Sequence, residues 1–483
     1  MAQVLAYDLG GSSLRLAIVE ADGTLSDMVR KPLSLTQSGD RSEADPTLWW
    51  SAFREAGTEL AARGHDFAAV TAIGGCGFTR TQVLLDADDQ PVRPAIAFQD
   101  ARAADLLEEL QAEAPAPLRS LYVNLGPFDP LARLLWLQRY EPENWARART
   151  VIEPKDYLNL CLTGIAAVDT ISQTPNRRVL GIDASAGLAT LGIDADLIPQ
   201  VISPFDIVGP VRHGLPAPFD RLAGVPVHCG SLDTWTCVLG SGGLVPGAGY
   251  GISGTSDVFG VITATRADAP GLLTVEWGPD LWQLGGPSQG AASRLQWAAE
   301  RFHKGQGMGA AVDAALADIS PAPLFLPFLD GERTPFWDPA LRGAFIGLDA
   351  GHDADAFLRG VAEGMAYLSR EILLRAETAT GERIGHVSFS GGLAGHPGLC
   401  QLKADVLDRP VLVPHSAETG LLGAARLPLG PDRALTALPS DASTTYLPDP
   451  DRRAYHDARF GMFRLATEAL RPVLHKMAAD GVR

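Results

Sequence analysis

Apolar and polar positions alternate along this chain with two different periods, and the mixture predicts an α/β protein. Residues 4–7 form a short apolar run that stops at Asp8, turns through Gly10-Gly11-Ser12-Ser13 and resumes over 14–20. Further strand-like runs fall at 68–74, 225–228, 282–284 and 387–390, with a hairpin over 82–96. The helical period is clear over 46–63, where Leu48, Phe53 and Leu60 recur among polar residues, and again over 129–140, 155–162, 291–302 and 453–477. Another helix is expected to start near Ala103. Phe357, Val361, Met365, Leu368 and Ile372 mark a long buried helix, whose Ala356, Gly360 and Gly364 would let a neighbouring helix approach closely. Gly423-Ala424-Ala425 runs into Pro428, so any helix there is short or broken, and the Pro-rich stretch 427–445 reads as a linker.

Length adds a division of the chain. At 483 residues it exceeds what one hydrophobic core supports, roughly 250–300 residues, so two domains are expected, 1–245 and 246–483. The glycine-rich stretch 240–251 between them reads as a hinge. A net charge of −17 argues against nucleic acid or an anionic membrane as the main partner. The five cysteines form no CxxC pair and the ten histidines no metal-binding cluster, which fits reduced thiols in a cytoplasmic protein. No signal-peptide pattern opens the chain, and no apolar run approaches the roughly 20 residues of a membrane span.

The chemistry concentrates in three glycine turns and one carboxylate. The Gly10–Ser13 tip offers backbone N–H groups and small hydroxyls that suit phosphate oxygens, although a tight hairpin explains its glycines equally well. Gly254-Thr255-Ser256 repeats the pattern after a second strand, as a weak internal duplication, and Gly391-Gly392 follows a third. Asp233 stands among small residues just before an apolar helical segment, where a helix N-cap is the plain structural reading. Arg80, Asp100 and Arg102 fall at strand ends, where a polar side chain can reach a ligand, although each taken alone reads as a solvated surface charge. No GxxxxGK[ST] loop occurs. Gly286-Pro287-Ser288-Gln289-Gly290 matches the nucleophile elbow of α/β-hydrolases, with Ser288 as the nucleophile; the competing reading is a helix N-cap.

Together these motifs resemble the FGGY carbohydrate kinases, relatives of the actin-like ATPases. DLGGSSLR (8–15) resembles their first phosphate hairpin, GSLDTWTCVLGSG (230–242) the segment with their catalytic Asp, and GISGTSDVF (251–259) their second phosphate turn. FLPFLDGERTPFWDPALRGAFIGL (325–348) is similar to the passage typical of xylulokinases, and SFSGGLAGHPGLCQLKADVLDRPVLVP (388–414) to the adenosine segment. PKDYLNLCLTG (154–164) also matches. Three departures stand out: Gly11 replaces a hydroxyl residue, Thr79-Arg80 replaces a Met-His or Arg-Glu pair at the sugar site, and Phe98 replaces a Trp before Asp100.

The resemblance implies two actin-like ATPase (ribonuclease H-like) domains with a cleft between them. It further implies ATP and Mg²⁺ as cofactors and a small sugar, such as the ketopentose xylulose, as substrate. Asp233 would be the general base. Gly10, Gly11, Ser12, Ser13, Arg15, Gly254, Thr255 and Ser256 would hold phosphates, and Gly391 and Gly392 would flank the adenosine. Thr79, Arg80 and Asp100 would read the sugar beside Asp233, with Asp8 and Asp233 near the metal. A kinase of another polyol or sugar acid, and a nucleotide- or sugar-binding sensor of the same fold, remain the alternatives, and the family's habit admits a homodimer.

Overall fold

The structure, a computed structural model, describes residues 3–181, 184–254, 256–317 and 320–480. Its first strand, β1 (Gln3–Leu9), shows how the sequence builds a sheet with two covered faces. Leu5, Tyr7 and Leu9 point into one core, and Ala6, between them, points into another. β1 pairs antiparallel with β2 (Ser13–Glu20), which pairs with β3 (Leu25–Pro32). The next helix, α1 (Pro46–Ala62), is capped by the Asp45 carboxylate on the Thr47 amide and buries Trp49, Phe53, Ala56 and Leu60. Leu48, expected on that face, is exposed.

From α1 the chain returns to β4 (Val70–Gly77), parallel to β1. There follow α2 (Pro154–Thr163), β5 (Ile207–Pro210), β6 (Pro226–His228), the two-residue β7 (Ser231–Leu232) and α3 (Asp233–Gly240). The sheet order is β5-β6-β4-β1-β2-β3, with β7 also on β4. Residues 82–96 do fold back as an irregular hairpin, bridged antiparallel at Gln82–Ile96 and Leu85–Pro91, while the other side of Val83–Leu85 pairs with Thr150–Ile152.

The second sheet repeats the first. β8 (Ala248–Ser253) makes a hairpin with β9 (Asp257–Thr263), and β10 (Leu273–Gly278) and β11 (Leu281–Pro287) extend it. After α4 (Ala292–Phe302) and α5 (Ala354–Thr380), β12 (His386–Ser390) pairs parallel with β8, as β4 does with β1. Then come α6 (Pro397–Leu407), β13 (Val411–Pro414), α7 (Thr419–Arg426), β14 (Ser443–Tyr446) and α8 (Arg453–Ala479), giving the order β10-β11-β9-β8-β12-β13-β14. The duplication glimpsed in the two Gly-Ser turns is therefore a duplication of the hairpin-plus-parallel-strand unit.

The chain splits into two compact units, Met1–Gly240 with Gly420–Ala434, and Ser241–Thr419 with Leu435–Arg483. The stretch 427–445 is thus no simple linker. Its first part belongs to the first unit, and Ser443–Tyr446 is an edge strand of the second sheet. The short helix expected at Gly423-Ala424-Ala425 does form, as α7, and its glycines and alanines pack in the first unit. A Cβ on Gly74 would stand 2.1 Å from the Ala424 carbonyl oxygen, and one on Gly423 would stand 1.9 Å from that of Thr236. The small residues of α5 likewise face backbone, but of a strand segment rather than a helix. A Cβ on Gly360 would lie 2.5 Å from the Pro323 carbonyl oxygen, and one on Gly364 2.4 Å from that of Phe325.

Candidate functional site

In the first unit three strands end together. β1 sets Asp8 opposite Cys76 of β4, and β7 sets Ser231 opposite the same Cys76 from the other side. Asp8 and Asp233 are therefore carried to one end of the sheet's central strands, on either flank of β4. The Gly10–Ser13 turn closes there with the Gly10 amide on the Ser13 carbonyl at 2.9 Å, and Phe78 extends β4 by donating to the Leu9 carbonyl at 2.9 Å. Thr79 and Arg80 follow directly. The register of one sheet thus gathers the first phosphate turn, both expected carboxylates and the expected sugar loop.

Asp8 is buried and paired with Arg15, Nη2 to Oδ2 at 2.6 Å. Asp233 opens α3 as its first helical residue rather than as an N-cap, because its carboxylate turns back to its neighbour: the Thr234 amide (2.6 Å) and hydroxyl (3.1 Å) both donate to Oδ1. Burial, with the Asp8 charge adding to it, pushes the Asp233 carboxyl up to about 6 against those donors. Gly420, at the start of α7, lies so close that a Cβ there would stand 2.5 Å from Asp8 Oδ2. No sequence pattern pointed to that residue.

The expected sugar residues divide. Thr79 and Arg80 are half-buried, and Arg80 takes a left-handed φ of 54°. Its amide donates to Glu153 Oε1 at 3.1 Å and its carbonyl accepts from Arg133 Nη2 at 2.6 Å. Arg133, fully buried, also donates to the Ala97 carbonyl and ties the two loops together; burial lowers its guanidinium to about 10. Asp100 lies beneath, at 0% exposure, with its oxygens held by the Ser42 amide (2.6 Å) and by Arg102 through Nε (2.8 Å) and Nη2 (2.7 Å). It anchors the loop that carries the exposed ring of Phe98. Glu153 and Arg133 were absent from the sequence reading; the proline-led Glu153–Asp156 capping box was the available signal.

In the second unit the hairpin β8–β9 turns at Gly254, whose amide donates to the Ser256 carbonyl at 2.9 Å; Thr255 lies outside the described residues. Ser253 donates to Asp257 across the base of the turn, and Lys403 Nζ lies 3.6 Å from the other oxygen of Asp257, over the rings of Phe259 and Phe389. Gly391, at φ 89°, leaves β12 beside this turn, and a Cβ on it would stand 2.4 Å from the Ser253 carbonyl oxygen. Gly254, Ser256, Gly391 and Gly392 are so brought to one end of the β8–β12 pair. Ser288 is neither an N-cap nor an exposed nucleophile. Ala291 holds the cap position of α4, and the buried Ser288 hydroxyl donates to the Gly290 carbonyl at 3.1 Å. Among the described residues no histidine hydrogen-bonds it.

Comparison with known proteins decides the family. The N-terminal domain model of the FGGY family of carbohydrate kinases matches residues 3–240, and its C-terminal domain model matches 249–429. The chain belongs to the FGGY family of carbohydrate kinases. It is 29% identical to a xylulose kinase of Escherichia coli over 97% of this chain and 99% of that one, and 30% identical to one of Streptomyces rubiginosus over 87% and 86%. A xyloylose kinase from Brucella ovis superposes with a TM-score of 0.85 at 28% identity, over 98% of this chain and 100% of the other. A glycerol kinase from Plasmodium falciparum, solved with ADP, shares the fold (TM-score 0.82, 16% identity, 97% and 98% covered). This FGGY chain is a carbohydrate kinase of the two-domain, actin-like ATPase fold. Among its described residues no helix is long and apolar enough to cross a membrane.

The residues present fit the groups the family implies. Among the described residues no group of three or more His, Cys, Asp or Glu could cage a metal. The Asp8 and Asp233 carboxylates are hard oxygen donors of the kind Mg²⁺ takes alongside its waters. A Cβ on Gly392 would enter open space, and one on Gly254 would meet nothing nearer than 3.9 Å, so both backbones stay accessible to a bulky ligand.

Proposed function

We propose that this protein is an ATP-dependent kinase of a small sugar, with a ketopentose such as xylulose as substrate and Asp233 as general base. One observation carries the reading: Asp233 and Asp8 lie at the same end of the sheet, near enough for the Asp8 charge to help push the buried Asp233 carboxyl up to about 6. A base tuned that close to neutrality takes a hydroxyl proton better than an ordinary carboxylate, a role worth about 10²–10⁴-fold. Phosphoryl transfer leaves the protein mostly positioning and charge stabilisation to do. Thr234 fixes one oxygen of Asp233, so the carboxylate is aimed before the substrate binds.

Gly10, Gly11, Ser12, Ser13, Arg15, Gly254, Thr255 and Ser256 would hold the phosphates, Gly391 and Gly392 would flank the adenosine, and Asp8 and Asp233 would hold a Mg²⁺ ion through its waters. When bound, that ion offsets phosphate charge. Thr79 and Arg80 face the sugar, and Asp100 holds the loop beside them. Relatives bearing the name xylulose kinase over most of both chains support the ketopentose. Arg80 favours one second reading, a sugar acid, because a guanidinium pairs well with a carboxylate.

ADP release measured across pentuloses, tetritols and sugar acids tests both. Stimulation by xylulose above all supports the first reading, stimulation by a sugar acid the second, and a flat panel leaves a binding protein. Asp233→Asn is expected to fold and to lose at least about 100-fold in sugar-dependent turnover.

A further inference from the structure

Behind this end of the first sheet lies a buried charge cluster for which the catalytic reading has no use. Lys155, Asp156 and Asp169 are each at most 1% exposed. Lys155 Nζ pairs with Asp156 Oδ1 and, at 2.9 Å, with Asp169 Oδ2. Burial works against the ammonium, but the two carboxylates outweigh it and keep Lys155 charged. Asp169 Oδ1 accepts from the amides of Ile171 (3.0 Å) and Ser172 (2.9 Å), and from the Ser231 hydroxyl at 2.8 Å. Ser231 is itself completely buried, two residues before Asp233.

That last bond adds a side-chain tie to a strand whose own ladder is short, although the Cys229 and Gly230 amides before it donate to the Asp206 and Pro204 carbonyls, each at 2.9 Å. The strand, β7, spans two residues and pairs with β4 alone. Its approach through Gly230, at φ 69°, runs so tightly over β4 that a Cβ would stand 1.9 Å from the Gly75 carbonyl oxygen. A two-residue ladder can rock or slip, and a displacement of about 1 Å at a reacting group costs about 100-fold in rate. A hydroxyl donating to a charged carboxylate is roughly twice as strong as a neutral bond and stops such motion. The cluster also reaches the expected sugar loop: Asp156 Oδ2 takes the Glu153 amide at 3.0 Å, and Glu153 Oε1 takes the Arg80 amide. Asn159, one turn along α2, donates to the Cys229 carbonyl at 2.9 Å and accepts from Tyr7 of β1 at 2.8 Å.

We infer that Ser231, and the Lys155–Asp169 pair that holds it, are positioning residues for Asp233, locking the catalytic carboxylate and the Arg80 loop to the same buried frame. The inference rests on Asp233 being the base. Ser231 is fully buried on Asp169 and acts only through the aim of Asp233.

The test uses the full chain with the sugar that best stimulates ADP release, and compares Ser231→Ala, Ser231→Cys, Asp233→Ala and the double variant Ser231→Ala/Asp233→Ala. Cysteine keeps the buried volume while giving up the strong donor. Both Ser231 variants are expected to lose about 10–100-fold in kcat with KM for ATP within about twofold. The double variant is expected to be no slower than Asp233→Ala alone, because a residue acting only through Asp233 has nothing left to aim. Wild-type kcat in Ser231→Ala, or losses that multiply in the double variant, would overturn the proposal. Full turnover in Asp233→Ala would instead reject the base assignment itself, a separate outcome from an inactive Asp233→Ala beside a fully active Ser231→Ala.

Discussion

At the scale of single residues, Asp233 carries the most consequential tension. Its carboxyl sits near 6 instead of the ordinary 3.8 because burial, and then Asp8, disfavour the charge. As a base it must be ionised, so kcat/KM is expected to fall about tenfold per pH unit below about pH 6, read from a pH profile. The same shift bears on stability with a definite sign. Between the unfolded value near 4 and the folded value near 6 the native state binds the extra proton, so this group's contribution to stability declines as pH rises through that window. Asp233→Asn is therefore expected to raise thermal stability at pH 7.5 by about 1–2 kcal/mol, after solvent screening of a half-buried group, and by little at pH 4. A melting temperature unchanged or lowered at pH 7.5 would contradict this. Asp233 was legible as a lone carboxylate in small-residue surroundings, but its neighbour Asp8, 225 positions away in sequence, was joined to it only by family resemblance. Asp100 shows the converse. Its place at a strand end read as a solvated surface charge and only the family resemblance made it a sugar contact, whereas the structure buries it with its oxygens on Arg102 and the Ser42 amide.

At the scale of elements, the glycines sort into two kinds. Gly254 and Gly392 have open space where a side chain would stand, whereas Gly74 and Gly423 let α7 lie directly on β4 and α3. Gly423→Ala is expected to destabilise the protein by about 1–3 kcal/mol, since its Cβ would fall 1.9 Å from the Thr236 carbonyl oxygen and backbone must shift to admit it. Gly392→Ala should leave the melting temperature nearly unchanged. Denaturant melts of the two variants check the pair. Periodicity located α1, α4 and α8 well because each buries one stripe, and α5 by the length of its apolar run, since it is buried nearly all round. It misread the partner of the Gly360–Gly364 stripe, since spacing shows that something comes close and says nothing of whether it is a helix or the strand at Phe325.

At the scale of the whole molecule, the first unit is discontinuous in sequence. Leu421 and Ala424 complete a core with Ala6, Ala17 and Val19, so the first sheet has an uncovered apolar patch unless α7 returns to it. Residues 3–240 expressed alone are expected to be poorly soluble and to bind a hydrophobic dye, and the same fragment with 418–434 joined by a flexible linker to regain a cooperative melt. A well-folded 3–240 fragment would refute the dependence.

Local information sufficed for what local interactions control. Strand and helix periods, the three glycine turns and the shortness of the 419–426 helix follow from side-chain patterns within a few residues of each other, and the family from the resemblance of motifs spread along the chain. The gathering of Asp8, Asp233 and Thr79-Arg80 at one end of the sheet was set by β-register, in which partners far apart along the chain become neighbours. The same holds for the burial that retunes Asp233 and for the Lys155–Asp169–Ser231 frame behind it. Pairing register, desolvation and close backbone approach arise only once distant segments occupy the same space, and those three effects decide how this site is aimed.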